Sequence, residues 1–210
     1  MSAMREPLVC FGGTFNPVHV GHLITARAAA EKLGARRVWL IPAAIPPHKA
    51  CPGVRADDRL AMLRLAVRED ELFEVSPLEL ERPGPSYTVD TLAALRKLHG
   101  SDVELIWLIG LDMLTELGTW HRTAEVVELA RVVTLPRPPL PPDLDACLSA
   151  LAETFTPEQV RRLRADILPT PLLEISASQI RRRVREGLSI RYLVPDSVWD
   201  YIAHQGLYRR

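Results

Sequence analysis

At 210 residues the chain is long enough to bury a full core and fits one α/β domain over residues 1–210. Its 26 basic and 26 acidic residues cancel, which argues against bulk electrostatic binding to nucleic acid or an anionic membrane. No apolar run reaches the roughly 18 residues of a transmembrane helix, residues 1–7 lack the apolar core of a secretory signal, and Cys10, Cys51 and Cys147 lack a CxxC pair. A reduced, cytoplasmic protein without a disulfide framework or zinc site is the expectation.

In chain order, Leu8-Val9-Cys10-Phe11 reads as a short buried strand, and residues 23–33 read as a helix. Between them lies Gly12-Gly13-Thr14-Phe15-Asn16-Pro17-Val18-His19-Val20-Gly21-His22. Two glycines allow a tight turn and close approach of backbone to a ligand. Pro17 suits the first turn of the coming helix, where its missing N–H is not needed. His19 and His22, three apart, share a face near the helix N-terminus, whose free N–H groups and partial positive charge favour an anion. The pattern describes a phosphate site, although it is neither GxxxxGK[ST] nor GxGxxG.

Residues 37–42 form a second strand, followed by the Pro-rich loop 42–49 with His48 and Lys49. A helix over 56–68, a strand starting at Phe73-Glu74-Val75 and an amphipathic helix over 88–98 come next. Residues 103–110 are nearly all apolar, as a central parallel strand covered on both faces should be. Residues 130–135 make another strand, and 137–143 read as a surface loop. Ser176 caps a helix over 177–186, with Ser178 and Arg181 on one side and Ile180, Val184 and Leu188 toward the core. Arg182, Arg183 and Arg185 read as a solvated face. Residues 196–204 close the chain as a helix. Alternating strands and helices imply a Rossmann-like, doubly wound parallel sheet, with ligands above the carboxyl ends of its first and fourth strands.

The run from Gly13 to His22 has the form GxFxPxHxGH and resembles the first motif of the HxGH nucleotidyltransferases. Ile175-Ser176-Ala177-Ser178-Gln179-Ile180-Arg181 resembles their second motif, ISxTxxR or ISxSxxR. Superfamily motifs alone leave the acceptor open. Pro46-Pro47-His48-Lys49, Pro85-Ser86-Tyr87-Thr88, Ile109-Gly110-Leu111-Asp112, Thr119-Trp120 and Gln205-Gly206-Leu207-Tyr208 look like elements of bacterial nicotinate-nucleotide adenylyltransferases, almost end to end.

The resemblance implies transfer of AMP from ATP to nicotinate mononucleotide, with release of pyrophosphate. The alternative is a related enzyme using nicotinamide mononucleotide or another phosphorylated acceptor. His19, His22 and Arg181 would be catalytic. Gly12, Gly13, Thr14, Phe15, Ser176, Ser178 and Lys49 would bind ATP phosphates. His48, Thr88, Asp112 and Trp120 would bind the acceptor, Trp120 by stacking on the pyridine ring. Asp112 also has a competing reading as a helix N-cap. Mg2+ would accompany ATP, held mainly by substrate phosphates rather than by protein ligands. Asn16, where many relatives carry Asp, removes one charge near the phosphates, and Ser178 retains the hydroxyl of the commoner Thr. Neither nucleic acid nor membrane is an expected partner, and the sequence leaves the oligomeric state open.

Overall fold

The computed structural model describes residues 6–47, 54–138, 140 and 143–209. Five parallel strands, β1 (Leu8–Gly13), β2 (Val38–Pro42), β3 (Phe73–Val75), β4 (Leu105–Gly110) and β5 (Arg131–Leu135), lie in the order β3-β2-β1-β4-β5. Register runs Phe11 opposite Leu40 on one side and Leu108 on the other. The order reverses between β1 and β4, the switch point where open α/β sheets leave a crevice at the carboxyl ends of their strands.

The helices are α1 (Val20–Leu33), α2 (Ala56–Val67), α3 (Thr88–His99), α4 (Leu111–Glu116), α5 (Thr123–Leu129), α6 (Leu144–Ala150), α7 (Pro157–Ala165), α8 (Ala177–Arg185) and α9 (Asp196–Gln205). Successive strand residues point to opposite faces. Val9, Leu40, Ile106, Leu108 and Val133 therefore pack on one side with Ala26 and Ala29 of α1, Met62 and Leu63 of α2, Ile180 of α8 and Ile202 of α9. Cys10, Ile41, Trp107, Ile109 and Val132 pack on the other with Leu92 and Leu95 of α3, Val126 of α5 and Leu163 of α7. The apolar sequence of β4 follows from its burial between both layers. None of the helices of the described residues is long and apolar enough to cross a membrane.

Three local expectations change. Pro17 does not open α1: the Asn16–Pro17 peptide is cis, and the chain runs extended through His19 (φ −144°, ψ 165°), which is the N-cap. Buried Val18 and the Val20 N–H to Leu193 O bond at 3.0 Å hold this entry, so the helix begins only at Val20. Leu188 lies beyond the end of α8 and is 48% exposed, whereas Ile180 is fully buried. Arg183 is half-buried and donates from Nε to Ser189 O at 2.8 Å, closing the turn after α8, while Arg182 and Arg185 are exposed. The described cysteines, Cys10 and Cys147, are free, and burial pushes the Cys10 thiol up to about 12, away from reactivity.

Candidate active site

A cleft of about 520 Å3 opens at the switch point between β1 and β4. Its floor demands glycine at Gly12, where a Cβ would run into the buried Trp107 ring, whereas a Cβ on Gly110 would meet only the end of the Asp112 side chain, which can shift. Beyond them Phe15 turns through a left-handed conformation (φ 46°) and buries its ring edge-on against Phe11 and His22.

His19 and His22 stack with ring centroids 3.6 Å apart, and a Cβ on Gly21 would approach His19 Nδ1 to 3.0 Å. His22 Nδ1 accepts from the His19 backbone N–H at 3.2 Å, so a neutral His22 carries its proton on Nε2. Burial, then the charge of Arg137, lowers His19 to about 3. Burial, His19 and Arg137 hold His22 well below the ordinary histidine value. Both rings are thus neutral near pH 7. His19 is 3% exposed, and neither of its ring nitrogens has a partner among the described residues. An unmet buried polar group costs about 1–3 kcal/mol, a cost that an incoming phosphate oxygen would relieve.

The second motif meets the first across the cleft. Arg181 Nη1 donates to Asn16 O at 2.8 Å, although the two are far apart in sequence. Ser176 caps α8 by accepting from the Gln179 N–H at 3.2 Å, and its hydroxyl lies 3.2 Å from that of Ser178. Asn16 is more than a missing charge. It is buried, its Oδ1 accepts from the Tyr208 hydroxyl at 2.6 Å, and the chain's final turn is thereby tied to the first motif.

On the other side Thr88 is the first residue of α3, so its N–H belongs to the helix start that has no intrahelical partner. Trp120 faces the same space, its Nε1 buried without a partner among the described residues. The Tyr87 and His121 rings meet beside it, tilted by 30° with centroids 4.2 Å apart. Asp112 is not the cap of α4. Gly110 is, and Asp112, within the first turn, accepts from Arg137 Nε at 3.1 Å in a two-pronged pair.

The cleft therefore brings together Gly12, Gly13, Thr14, Phe15, His19, His22, Thr88, Asp112, Trp120, Ser176, Ser178 and Arg181. His48 and Lys49 lie outside the described residues. Sequence reasoning missed Arg137 by assigning it to a surface loop. The available signal was its position just past the carboxyl end of β5, where such sheets bind ligands. Among the described residues no group of three or more His, Cys, Asp or Glu side chains is placed to hold a metal ion.

Residues 10–183 match the model of the cytidylyltransferase-like family. A protein of Thermomicrobium roseum named "probable nicotinate-nucleotide adenylyltransferase" is 46% identical over 200 residues, spanning 95% of this chain and 90% of its own. The chain belongs to this nucleotidyltransferase family. A relative of the same name from Dechloromonas aromatica is 43% identical, covering 98% of this chain and 99% of its own. The fold is also that of Plasmodium falciparum nicotinic acid mononucleotide adenylyltransferase complexed with NaAD, with a TM-score of 0.73 at 15% identity over 97% of this chain and 98% of that one.

Proposed function

We propose that the protein is a nicotinate-nucleotide adenylyltransferase, acting in NAD biosynthesis as a single nucleotidyltransferase domain in the cytoplasm. It joins the AMP moiety of ATP to nicotinate mononucleotide and releases pyrophosphate. The observation that carries this reading is the meeting of two distant motifs at one cleft, with Arg181 bonded to Asn16 O beside the stacked His19 and His22.

An oxygen of the acceptor phosphate attacks the α-phosphorus of ATP in line. The new P–O bond forms as the bond to the bridging oxygen of the β-phosphate breaks, and pyrophosphate leaves with that electron pair. The protein's task is positioning and charge stabilisation, and positioning alone can supply about 7–11 kcal/mol. His22 offers Nε2–H as a neutral donor, His19 brings unpaired ring nitrogens, and Arg181 brings a fixed positive charge. Ser176, Ser178 and the first-motif loop add donors around the triphosphate, and Lys49 is assigned there from the sequence. No nucleophile is paired with a base in either motif, so no covalent enzyme intermediate forms. Nucleotidyltransferases of this kind work with a divalent metal. Here the substrate is the magnesium complex of ATP, its ion held chiefly by phosphate oxygens and water.

Trp120 stacks on the electron-poor pyridine ring, and backbone N–H groups near Thr88 and Trp120 receive the nicotinate carboxylate. A carboxamide would turn its NH2 toward those donors and leave both unpaired, which disfavours the amide. Asp112 completes the acceptor side, and His48 is assigned there from the sequence.

The test is pyrophosphate release with ATP and magnesium, comparing nicotinate with nicotinamide mononucleotide at matched concentrations. Strong preference for the acid is expected. Comparable rates would remove the carboxylate-reading site, and no release with either would send the assignment to another phosphorylated acceptor.

A further inference from the structure

A mostly buried chain of polar groups joins the acceptor side to the phosphate side, with Glu79 and Ser86 lining the cleft and Arg59 buried away from it. Glu79 is 4% exposed and Thr91 is fully buried; Thr91 Oγ1 donates to Glu79 Oε1 at 2.6 Å. The Ser86 hydroxyl lies near enough to the Glu79 carboxyl to offset part of the rise that burial imposes on it, and it accepts from the Ala44 N–H at 2.9 Å. The carbonyl of that same residue accepts from Arg59 Nη2 at 3.1 Å, and Arg59 Nη1 donates to Thr14 O at 2.8 Å. Arg59 is 1% exposed and has no ion-pair partner among the described residues.

A buried guanidinium without a carboxylate partner is a costly way to fill space, and an apolar side chain of similar volume generally serves stability as well or better. What distinguishes Arg59 is what it holds. Its planar fork spans two carbonyls on two separate loops, Thr14 beside the histidines and Ala44 at the Pro-rich loop. On the other side Glu79 holds Thr91 of α3 by a hydrogen bond and has Ser86 close by. Hydrogen bonds in such a series polarise one another, so the links are not independent.

We propose that Glu79 and Arg59 are positioning residues for adenylyl transfer, coupled through Ser86 and Ala44, so that residues 86–88 and the phosphate loop 12–15 are set as one unit. The proposal rests on the adenylyltransferase reading of the cleft. Glu79 governs acceptor binding, Arg59 governs ATP binding, and loss of either loosens the other.

Steady-state kinetics of the full chain, varying each substrate in turn, tests this with E79Q, R59K and the double variant. Glutamine places an NH2 where a carboxylate oxygen accepts, and lysine keeps the charge but loses the fork. The acceptor KM should rise about tenfold in E79Q and the ATP KM about tenfold in R59K, the size of one lost charge-assisted bond, with kcat held within about twofold. Independent sites multiply to within about twofold, so the double variant should fall short of the product of the single losses by about fivefold or more.

Multiplicative losses would overturn the coupling. A fall in kcat with both KM values unchanged would also overturn it, because that marks only a smaller folded fraction. Should R59K fail to fold, S86A breaks the chain at its middle without touching a charge. In that background E79Q should cost several-fold less than in the wild type, the remainder being its bond to Thr91, and a full-sized effect would refute the link. Absence of acid preference in the wild type would refute the carboxylate-reading site instead, and the double-variant comparison would still decide the chain on whichever acceptor is turned over.

Discussion

The two ends of the cleft are built differently. At the phosphate end, the reacting groups sit on regular elements or directly at their ends: Gly12 and Gly13 close β1, His19 caps α1, His22 lies in its first turn and Arg181 in the second turn of α8. At the acceptor end, the walls come from the loop after β2, the entry to α3, the turn around Trp120 and the segment after β5. Those loops are fixed by buried hydrogen bonds such as Ala44 N–H to Ser86 and by the Arg137–Asp112 pair. A site that handles a triphosphate needs rigid donors, and helix starts supply them. A site that selects an acceptor needs a shaped wall, which loops on a scaffold supply.

The largest expected effect is at the rigid end. His19→Ala should lower kcat by about a hundredfold or more, the loss seen when one preorganised donor is removed from a reacting site. The measurement is pyrophosphate release at saturating concentrations of both substrates. A kcat within a few-fold of wild type would show that the histidine pair is structural, and the contrast between the two ends would collapse.

A smaller, one-sided effect is expected at the loop-built end. Trp120→Ala should raise the acceptor KM by about tenfold, corresponding to the lower part of the roughly 1–3 kcal/mol measured when an aromatic stacking partner is removed. The ATP KM should stay within about twofold, since sites without shared partners act nearly independently. Equal increases in both would mean that Trp120 shapes the whole cleft and does not read the ring.

This division also explains what the sequence made legible. The alternating parallel architecture and the buried character of β4 follow from periodicity, and the grouping of His19, His22 and Arg181 is expected from the resemblance carried by two short motifs. Arg137 had only the coarse signal of its place just past the end of β5, because its pairing with Asp112 is a contact between elements far apart in the chain. Pro17 misled for the opposite reason. A local preference for the first helical turn gave way to the buried Val18 and to the capping role of His19. Glu79 and Arg59 carry no motif signal in the reading of the chain, since their meaning lies in the loops they connect.

The smallest effect concerns stability, and it separates the histidines from the acceptor side without any substrate. His19 in the folded chain titrates at about 3, against an ordinary value of 6.5, because burial and Arg137 disfavour its charged form. The unfolded chain therefore takes up a proton near pH 6.5 that the folded chain refuses until about 3. Stability from this group is fully present above the unfolded value and is lost as pH falls through the window between those two values. At pH 5.5 the loss is about 1 kcal/mol relative to pH 8, from one pH unit below the unfolded pKa at 1.36 kcal/mol per unit. Thermal melts of wild type and His19→Asn at the two pH values measure it. The wild type should lose more melting temperature on acidification than the variant, while His22, also lowered, leaves the variant a residual slope. Parallel losses in the two proteins would place His19 in a hydrated, readily protonated setting, and its role as a neutral donor at the phosphate end would fail.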